Sequence, residues 1–294
     1  NVYYLDGIEI PVLNHFQTQG SSGGAQGIVN VSFIEDLKLS SSAFDARYDN
    51  ALASTFVIKQ RQGNTQKLSG NVRASLTESA VTLEGPLGKK ANFLASSRFS
   101  YLDLLFTAID LPIRPRYSDF QYKVSVDLNS KTQLTAIGLG AIDNFKFGET
   151  RESSAENEYF RRSLPFISQW NYTTGFTLKR LIEKGYINFA LSRNMFNNEL
   201  DRFTDAQNYN EDYRNLRLQS QEMENKFRFD YNKYVKGWKY SFGISGQYVK
   251  YTTDSYNKLT EAVYDSNGVL IQPAVEVSFN SAIEFFKYGA FGQV

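Results

Sequence analysis

Across residues 222–251 side chains of opposite character take turns. Met223, Phe227, Phe229 and Tyr231 alternate with Glu224, Lys226, Arg228, Asp230 and Asn232, and then Trp238, Tyr240, Phe242, Ile244 and Tyr248 alternate with Lys239, Ser241, Ser245 and Gln247. Successive side chains on a strand point to opposite faces, so this period predicts a hairpin with one aromatic face and one charged and hydroxylated face. Each limb exceeds the mean strand of about six residues. The turn between them is Lys236-Gly237, a pair suited to a tight hairpin. Such a ribbon buries one face and wets the other, either in a soluble sandwich or in a barrel wall with lipid outside.

The same alternation returns at Phe120, Tyr122, Val124, Val126 and Leu128, at Trp170, Tyr172, Phe176 and Leu178, at Ile187, Phe189, Leu191 and Met195, and more weakly at Ala91, Phe93, Ala95 and Phe99. Short connections containing lysine, at Gly88-Lys89-Lys90, Asn129-Ser130-Lys131, Glu183-Lys184-Gly185 and Lys236-Gly237, take turns with long polar or irregular stretches near 104–117, 148–166, 200–217 and 252–278. Brief turns at one rim and extended loops at the other characterise outer-membrane barrels, whereas Greek-key sandwiches mix loop lengths at both ends. The expected fold is an all-β membrane barrel of antiparallel up-and-down strands. About ten strands are expected, the last over 282–294.

Composition supports this reading. Aromatic residues make up 15% of a chain that is polar on average, as expected when only the outward half of each strand meets lipid. Lys plus Arg is 32 and Asp plus Glu is 31, a balance that does not point to nucleic acid. With no cysteine and a single histidine, His15, disulfides, thiolate nucleophiles and His-based metal clusters are excluded. No run approaches the apolar length of a spanning helix, so a membrane crossing has to use strands.

The opening sixty residues read differently. Asp6-Gly7 turns between short strands in VYYLDGIEI, a glycine-rich stretch covers 20–27, IEDLKL is a strand, and SSAFDARYDNALAS turns through Asp49-Asn50 into the strand TFVIKQR. The glycine-rich stretch reads as a loop, because neither a following lysine nor a βαβ unit makes it a phosphate cradle. GPLGKK at 85–90 likewise reads as a turn. The order of YLDG turn, polar loop, IEDLKL, SSAFDARYDNALAS and TFVIKQR resembles the C-terminal part of the plug domain of TonB-dependent outer-membrane receptors. Where that family usually carries glycines, this chain has Asn50, Ala51, Ala53 and Ser54.

The resemblance implies residues 1–62 as the C-terminal part of a plug domain and 63–294 as the N-terminal part of a transmembrane barrel. A barrel wide enough to hold a plug needs about 22 strands. The chain also opens directly on Asn1-Val2-Tyr3-Tyr4-Leu5 with no signal-peptide pattern, and is therefore expected to be a fragment of such a receptor. The resemblance further implies a location in the outer membrane of a Gram-negative bacterium and no enzymatic activity or cofactor. A scarce, bulky solute would bind where plug apex and outer loops meet and be imported. The implied partners are outer-membrane lipid, the solute, the TonB energy-coupling protein acting through a segment upstream of this sequence, and the remainder of the barrel or a surface lipoprotein. Candidate solute contacts are His15, Phe16 and Gln17 in the plug and Asp201, Phe203, Tyr209 and Tyr213 in an outer loop. Arg47 and Arg61, with inward-facing Lys226, Arg228 and Asp230, are assigned to plug-to-wall pairing, and Trp170, Trp238 and Tyr240 to lipid. Glu199, Asp201, Asp205, Glu211 and Asp212 crowd the same outer loop, as a solvated acidic loop or as oxygen ligands for calcium. A plugged barrel that does not import and a soluble all-β carbohydrate-binding module remain as alternatives.

Overall fold

A computed structural model of the chain describes every residue except 22, 43, 49, 153 and 205–208. The N-terminal body contains β1 (Val2–Leu5), β2 (Ile8–Glu9), β3 (Asn14–His15), β4 (Gln26–Gly27), β5 (Ile34–Ser41) and β6 (Ser54–Gln60). A four-stranded sheet runs β2-β1-β6-β5, with β1 parallel to β6, while β3 and β4 form a separate small hairpin. The expected turn joins β1 to β2: Asp6 (φ 48°) and Gly7 (φ 87°) take the left-handed conformations that a two-residue hairpin turn demands.

The remaining chain builds a second sheet from β7 (Ser69–Ala74), β8 (Glu78–Pro86), β9 (Ala91–Ser100), β10 (Ile113–Asn129), β11 (Thr132–Phe147), β12 (Phe166–Ile182), β13 (Gly185–Phe203), β14 (Arg214–Val235), β15 (Trp238–Thr260) and β18 (Val275–Gln293). Helix α1 (Leu102–Ala108) lies between β9 and β10, α2 (Ala155–Ser163) lies between β11 and β12, and the strand pair β16 (Val263–Tyr264) and β17 (Leu270–Gln272) precedes β18. The ten strands pair antiparallel in chain order, as the alternation predicts. The short turns fall where expected, and Lys236 (φ 49°) and Gly237 (φ 89°) close the β14–β15 hairpin on the Val235 and Trp238 pair.

Strands reach further into the long connections than the sequence suggests. Residues 200–203 and 214–217 belong to β13 and β14, and β15 continues to Thr260. Polar residues lengthen these strands because each still gains a cross-strand hydrogen-bonded neighbour. The expected irregular stretches at 104–117 and 148–166 hold the two helices. Ser154 caps α2 by accepting from the Asn157 amide, with Glu156 and Glu158 in its first turn and Arg161 and Arg162 in its last, a charge order that suits the helix dipole.

The two sheet faces separate cleanly. Phe242 and Ile244 are each about half exposed on the outer face, whereas Ser241 and Asp230 are buried against the N-terminal body. Polar inner positions of β10 to β14 find partners there. The Lys123 ammonium donates to the Gln60 carbonyl (2.7 Å) and sits 3.1 Å from Asp6, Gln121 donates to the Gln60 side chain (2.6 Å), and Lys226 pairs with Glu9 (3.1 Å). Arg61 grips Glu84 through two hydrogen bonds of 2.7 and 3.0 Å. The Arg228 guanidinium lies over the Tyr4 and Tyr48 rings, and Arg47 pairs with Asp45 of its own body while donating to Asn232 of β14.

Strand β11 departs from the polar-inside pattern. Its inner residues Ile137, Leu139 and Ala141 join Leu5, Ile8, Ile10, Ile28 and Ile58 in the principal core cluster. Its outer positions Gly138 and Gly140 are covered instead by the β10 rings Tyr122 and Phe120, and the Tyr122 hydroxyl crosses β11 to reach the Thr174 hydroxyl of β12 at 2.9 Å. A β-carbon at Gly138 would stand 2.2 Å from the Tyr122 ring. Gly138→Val should therefore destabilise the sheet by about 1–3 kcal/mol through overpacking. In a Tyr122→Ala background the same substitution should cost much less, as denaturant titration of the single and double variants will read.

Candidate functional site

The β3–β4 hairpin projects from the N-terminal body against β10 and β11. Its close pairing depends on Gly24, where a β-carbon would come within 2.3 Å of the Asn14 β-carbon and 2.7 Å of the His15 carbonyl. At its base His15 is fully buried between two wall carboxylates, with Nδ1 2.5 Å from Asp143 Oδ1 and Nε2 3.0 Å from Asp119 Oδ2. Ionised carboxylates only accept, so a protonated His15 ring can donate from both nitrogens, one to each carboxylate. Burial alone pulls its pKa down, but hydrogen bonds and charge from Asp119 and Asp143 outweigh that, and the net displacement is upward from 6.5. Tyr117 stacks on the ring with centroids 4.0 Å apart. Arg98 donates to Asp119 (2.6 Å) and to the Gly27 carbonyl (2.5 Å), so two cations and two carboxylates meet in a cluster without net charge.

This cluster sets the next residue. The Phe16 amide donates to Asp143 Oδ2 (2.9 Å), and Phe16 is held at φ 54°, a left-handed conformation that a bulky residue adopts only when its surroundings impose it. Its ring lines a cavity of about 580 Å³. Phe16, Ala25 and Gln26 contribute from the hairpin, Leu102 and Phe106 from α1, Ile113, Pro115 and Tyr117 from β10, Phe145 from β11, Leu164 and Pro165 from the approach to β12, and Ile167 from β12. Glu78 is the ionisable carboxylate in the lining, and it is engaged by Arg73 (3.1 Å), Arg98 (3.5 Å) and the Tyr117 hydroxyl (2.9 Å). A concave, largely apolar space with a few fixed polar groups suits a bulky organic group.

The residues singled out in the sequence divide into two groups. Phe16, Phe203 and Tyr209 join one aromatic series: Phe16 meets Phe145 (6.4 Å), Phe145 meets Phe147 (5.7 Å), Phe147 meets Phe166 (5.0 Å), and Phe166 meets Phe203 (5.9 Å) and Tyr209 (4.9 Å). Phe203 is buried within this series, while Tyr209 is its exposed outer end.

His15 and Gln17 are sealed, and the expectation that they touch solute gives way to an anchoring role. The Gln17 side chain accepts from the Leu13 amide and donates to the Pro11 and Ser21 carbonyls, while the wall residue Gln169 donates to its main-chain carbonyl. Asp201 and Tyr213 do not line the cavity. Asp201 sits on β13 rather than in a loop and faces Arg214 at 3.3 Å, and the Tyr213 carbonyl accepts from Thr204. Among the described residues no acidic cluster is arranged to hold a metal, because Arg214 stands between Asp201 and Glu211; Asp205 lies outside the described residues. Sequence reading missed Asp119, Asp143, Tyr117, Phe106 and Phe145. The inward parity of Asp119 and Tyr117 was the available signal for part of this set.

No family model matches the sequence, and no curated protein does. Solved structures do. The ferripyoverdine receptor of the outer membrane of Pseudomonas aeruginosa, bound to ferripyoverdine, aligns with a TM-score of 0.59 at 14% identity over 100% of this chain and 46% of that one. The ferric enterobactin receptor from Pseudomonas aeruginosa, as a mutant in complex with enterobactin, aligns at 0.59 and 12% identity over 99% and 47%. The copper transporter OprC aligns at 0.57 and 12% identity over 87% and 39%. The chain has the fold of TonB-dependent outer-membrane receptors and spans about half the length of the structures it matches.

The His15 clamp gives a signed pH dependence. A histidine whose pKa is raised on folding contributes stability that is complete below its unfolded value of 6.5 and is lost as pH rises through its folded value. Hydrogen-exchange protection of residues 14–27 should therefore fall above pH 6.5 in the parent chain. In His15→Gln it should be lower at pH 6 and nearly independent of pH.

Proposed function

We infer that the chain forms plug and wall of an outer-membrane receptor that captures a bulky solute at the Phe16 cavity and imports it. In this reading residues 1–62 act as the plug and 63–294 as barrel wall, with the outward aromatic rows facing lipid and the inner polar rows facing the plug. The observation that carries it is Phe16, held left-handed by Asp143 beneath α1 and the outer ends of β10 to β12, so that the apex of the N-terminal body forms the floor of a cavity roofed by outer connections. The likeness in fold to siderophore receptors and a copper transporter supports a transport role over a soluble binding module.

The proposed sequence of events uses the chain's own contacts. Solute against Phe16 presses on a residue joined to the His15 clamp by one peptide bond. Import requires the plug to shift relative to the wall, which breaks the side-chain bonds between them, such as Gln19 to Glu222 (2.9 Å) and Ser220 to Gln19 (2.8 Å). An inner-membrane energy-coupling protein of the TonB type supplies the pull through a segment upstream of residue 1. Phe16 is the proposed solute contact in the cavity among the residues picked from sequence; Tyr209 stands outside it, at the exposed end of the aromatic series.

Mass spectrometry of the protein purified from its native membrane should find a bound small molecule that is lost in Phe16→Ala. Retention of the same molecule by Phe16→Ala would move the binding place elsewhere. Because the chain has no cysteine, Gln19→Cys and Ser220→Cys can be bridged selectively by a short bis-thiosulfonate reagent. Bridging should stop uptake of the recovered molecule while sparing its binding, and reductant should restore uptake. Undiminished uptake with the bridge in place would identify a plugged barrel that does not move.

A further inference from the structure

The charges around the Phe16 cavity are already matched within the protein. Glu78 is the ionisable carboxylate in the lining, and Arg73 meets it at 3.1 Å. Arg98 lies 3.5 Å from Glu78 but gives its shorter contacts to Asp119 (2.6 Å) and to the Gly27 carbonyl (2.5 Å), within the cluster around His15. Among the described residues no lysine, arginine or histidine lines the cavity. The nearby cations of β10 point elsewhere. Ile113, Pro115 and Tyr117 face the cavity, so Arg114 and Arg116 fall on the other side of the strand, where Arg114 donates to the Glu149 carbonyl (2.8 Å) and Arg116 pairs with Asp103 (2.6 Å). Gln26 and Thr77 add uncharged polar groups to the lining.

An anion entering this space would give up its hydration and find no free cation. A cation fares no better. The Tyr117 ring already has His15 stacked on it at 4.0 Å and the Arg98 guanidinium carbon 5.6 Å from its centroid. Phe16, Phe106 and Phe145 remain, and the attraction of a cation to phenyl rings is smaller than the hydration it loses on burial. A bare metal ion lacks ligands as well, because the described lining holds no histidine, cysteine or methionine and its carboxylate is engaged. What the surface does offer is flat and rigid: the three phenyl rings with Pro115 and Pro165, next to the Gln26 amide. Those groups suit a planar, uncharged ring system that carries a hydrogen-bonding group.

We propose that the Phe16 cavity selects an uncharged aromatic group and excludes carboxylates, phosphates, ammonium groups and bare metal ions. Any charged part of the solute then stays outside the lining. The proposal rests on the capture reading given above and names the chemistry of what is captured.

Three probes of one shape separate charge from fit: naphthylmethanol, naphthoate and naphthylmethylammonium. Binding to the protein purified from its native membrane, in a neutral maltoside detergent at neutral pH, is read by saturation-transfer NMR. The signal is taken as the difference between the parent and Ala25→Trp, which places an indole in the cavity from an exposed hairpin position. Naphthylmethanol should bind, and each ion should bind about tenfold more weakly or worse. Gln26→Lys, which adds an unpaired cation to the lining, should raise the affinity of naphthoate relative to naphthylmethanol about three- to fivefold. Should Ala25→Trp fail to fold, Leu164→Trp serves as the blocked reference. Equal or tighter binding of either ion, or no relative gain for naphthoate in Gln26→Lys, overturns the selection of uncharged groups while leaving the cavity as the place of capture. Absence of a difference signal for all three probes strikes the cavity as the place of capture, and the selectivity with it.

Discussion

Partners for the inner face of the wall are the constraint on which this molecule depends. A strand whose side chains alternate between rings and polar groups is stable only if each face meets its own kind of surroundings. Here the inner row of β10 presents Asp119, Gln121, Lys123 and Ser125, all nearly inaccessible to water. An ammonium or carboxylate so placed is tolerable only with a counter-charge and hydrogen bonds in reach. Asp6, Gln60, Asn30 and His15 provide them, all from the N-terminal body. The N-terminal body therefore completes the wall's inner face.

That division of labour explains what could be read from the sequence. The alternation in β12 to β15 is readable because most positions on each face meet one kind of neighbour, and the lysine-containing turns fall as predicted, with two left-handed residues at Lys236-Gly237 and single ones at Lys184 and Gly88. Strand β11 was illegible for the opposite reason. Its TAIGLGAID run is apolar inward, where it docks the N-terminal body, and nearly bare outward, where rings from β10 cover its glycines. Neither face shows the usual contrast, so no period stands out. The helices were hidden inside irregular stretches, and seven residues of α1 offer too few turns to establish a period.

The candidate site was legible only where its chemistry is local. Phe16 could be singled out beside a lone histidine, but the groups that hold His15 are 128 and 104 positions away, at Asp143 and Asp119, and Asp143 also holds the Phe16 amide. Separations of that size become readable only after strand order and register are known, since a one-residue slip of β10 or β11 would turn each carboxylate outward. The calcium alternative shows the complementary limit: acidic residues crowded in sequence are split in space by Arg214, which no spacing rule anticipates.

On the proposed transport role, the contacts between plug and wall differ in how they resist displacement. A hydrogen bond such as Gln121 to Gln60, once broken in a wetted lumen, is replaced by bonds to water, and its net worth is about 0.5–1.5 kcal/mol. The ion pairs Lys226 to Glu9 and Arg61 to Glu84 lose little more once water enters, because their charges are rehydrated as they part. The apolar strip is different. Ile137 and Leu139 against Leu5, Ile8, Ile10 and Ile58 gain nothing from water, and exposing each side chain costs about 1.5–3 kcal/mol. Resistance to a pull on the plug is therefore concentrated on β11, beside the Asp143 carboxylate that holds His15 and Phe16. A force that strips the N-terminal body from β11 acts beside Asp143, which holds the Phe16 amide at the cavity floor, so on the proposed role plug movement and loss of that floor are coupled.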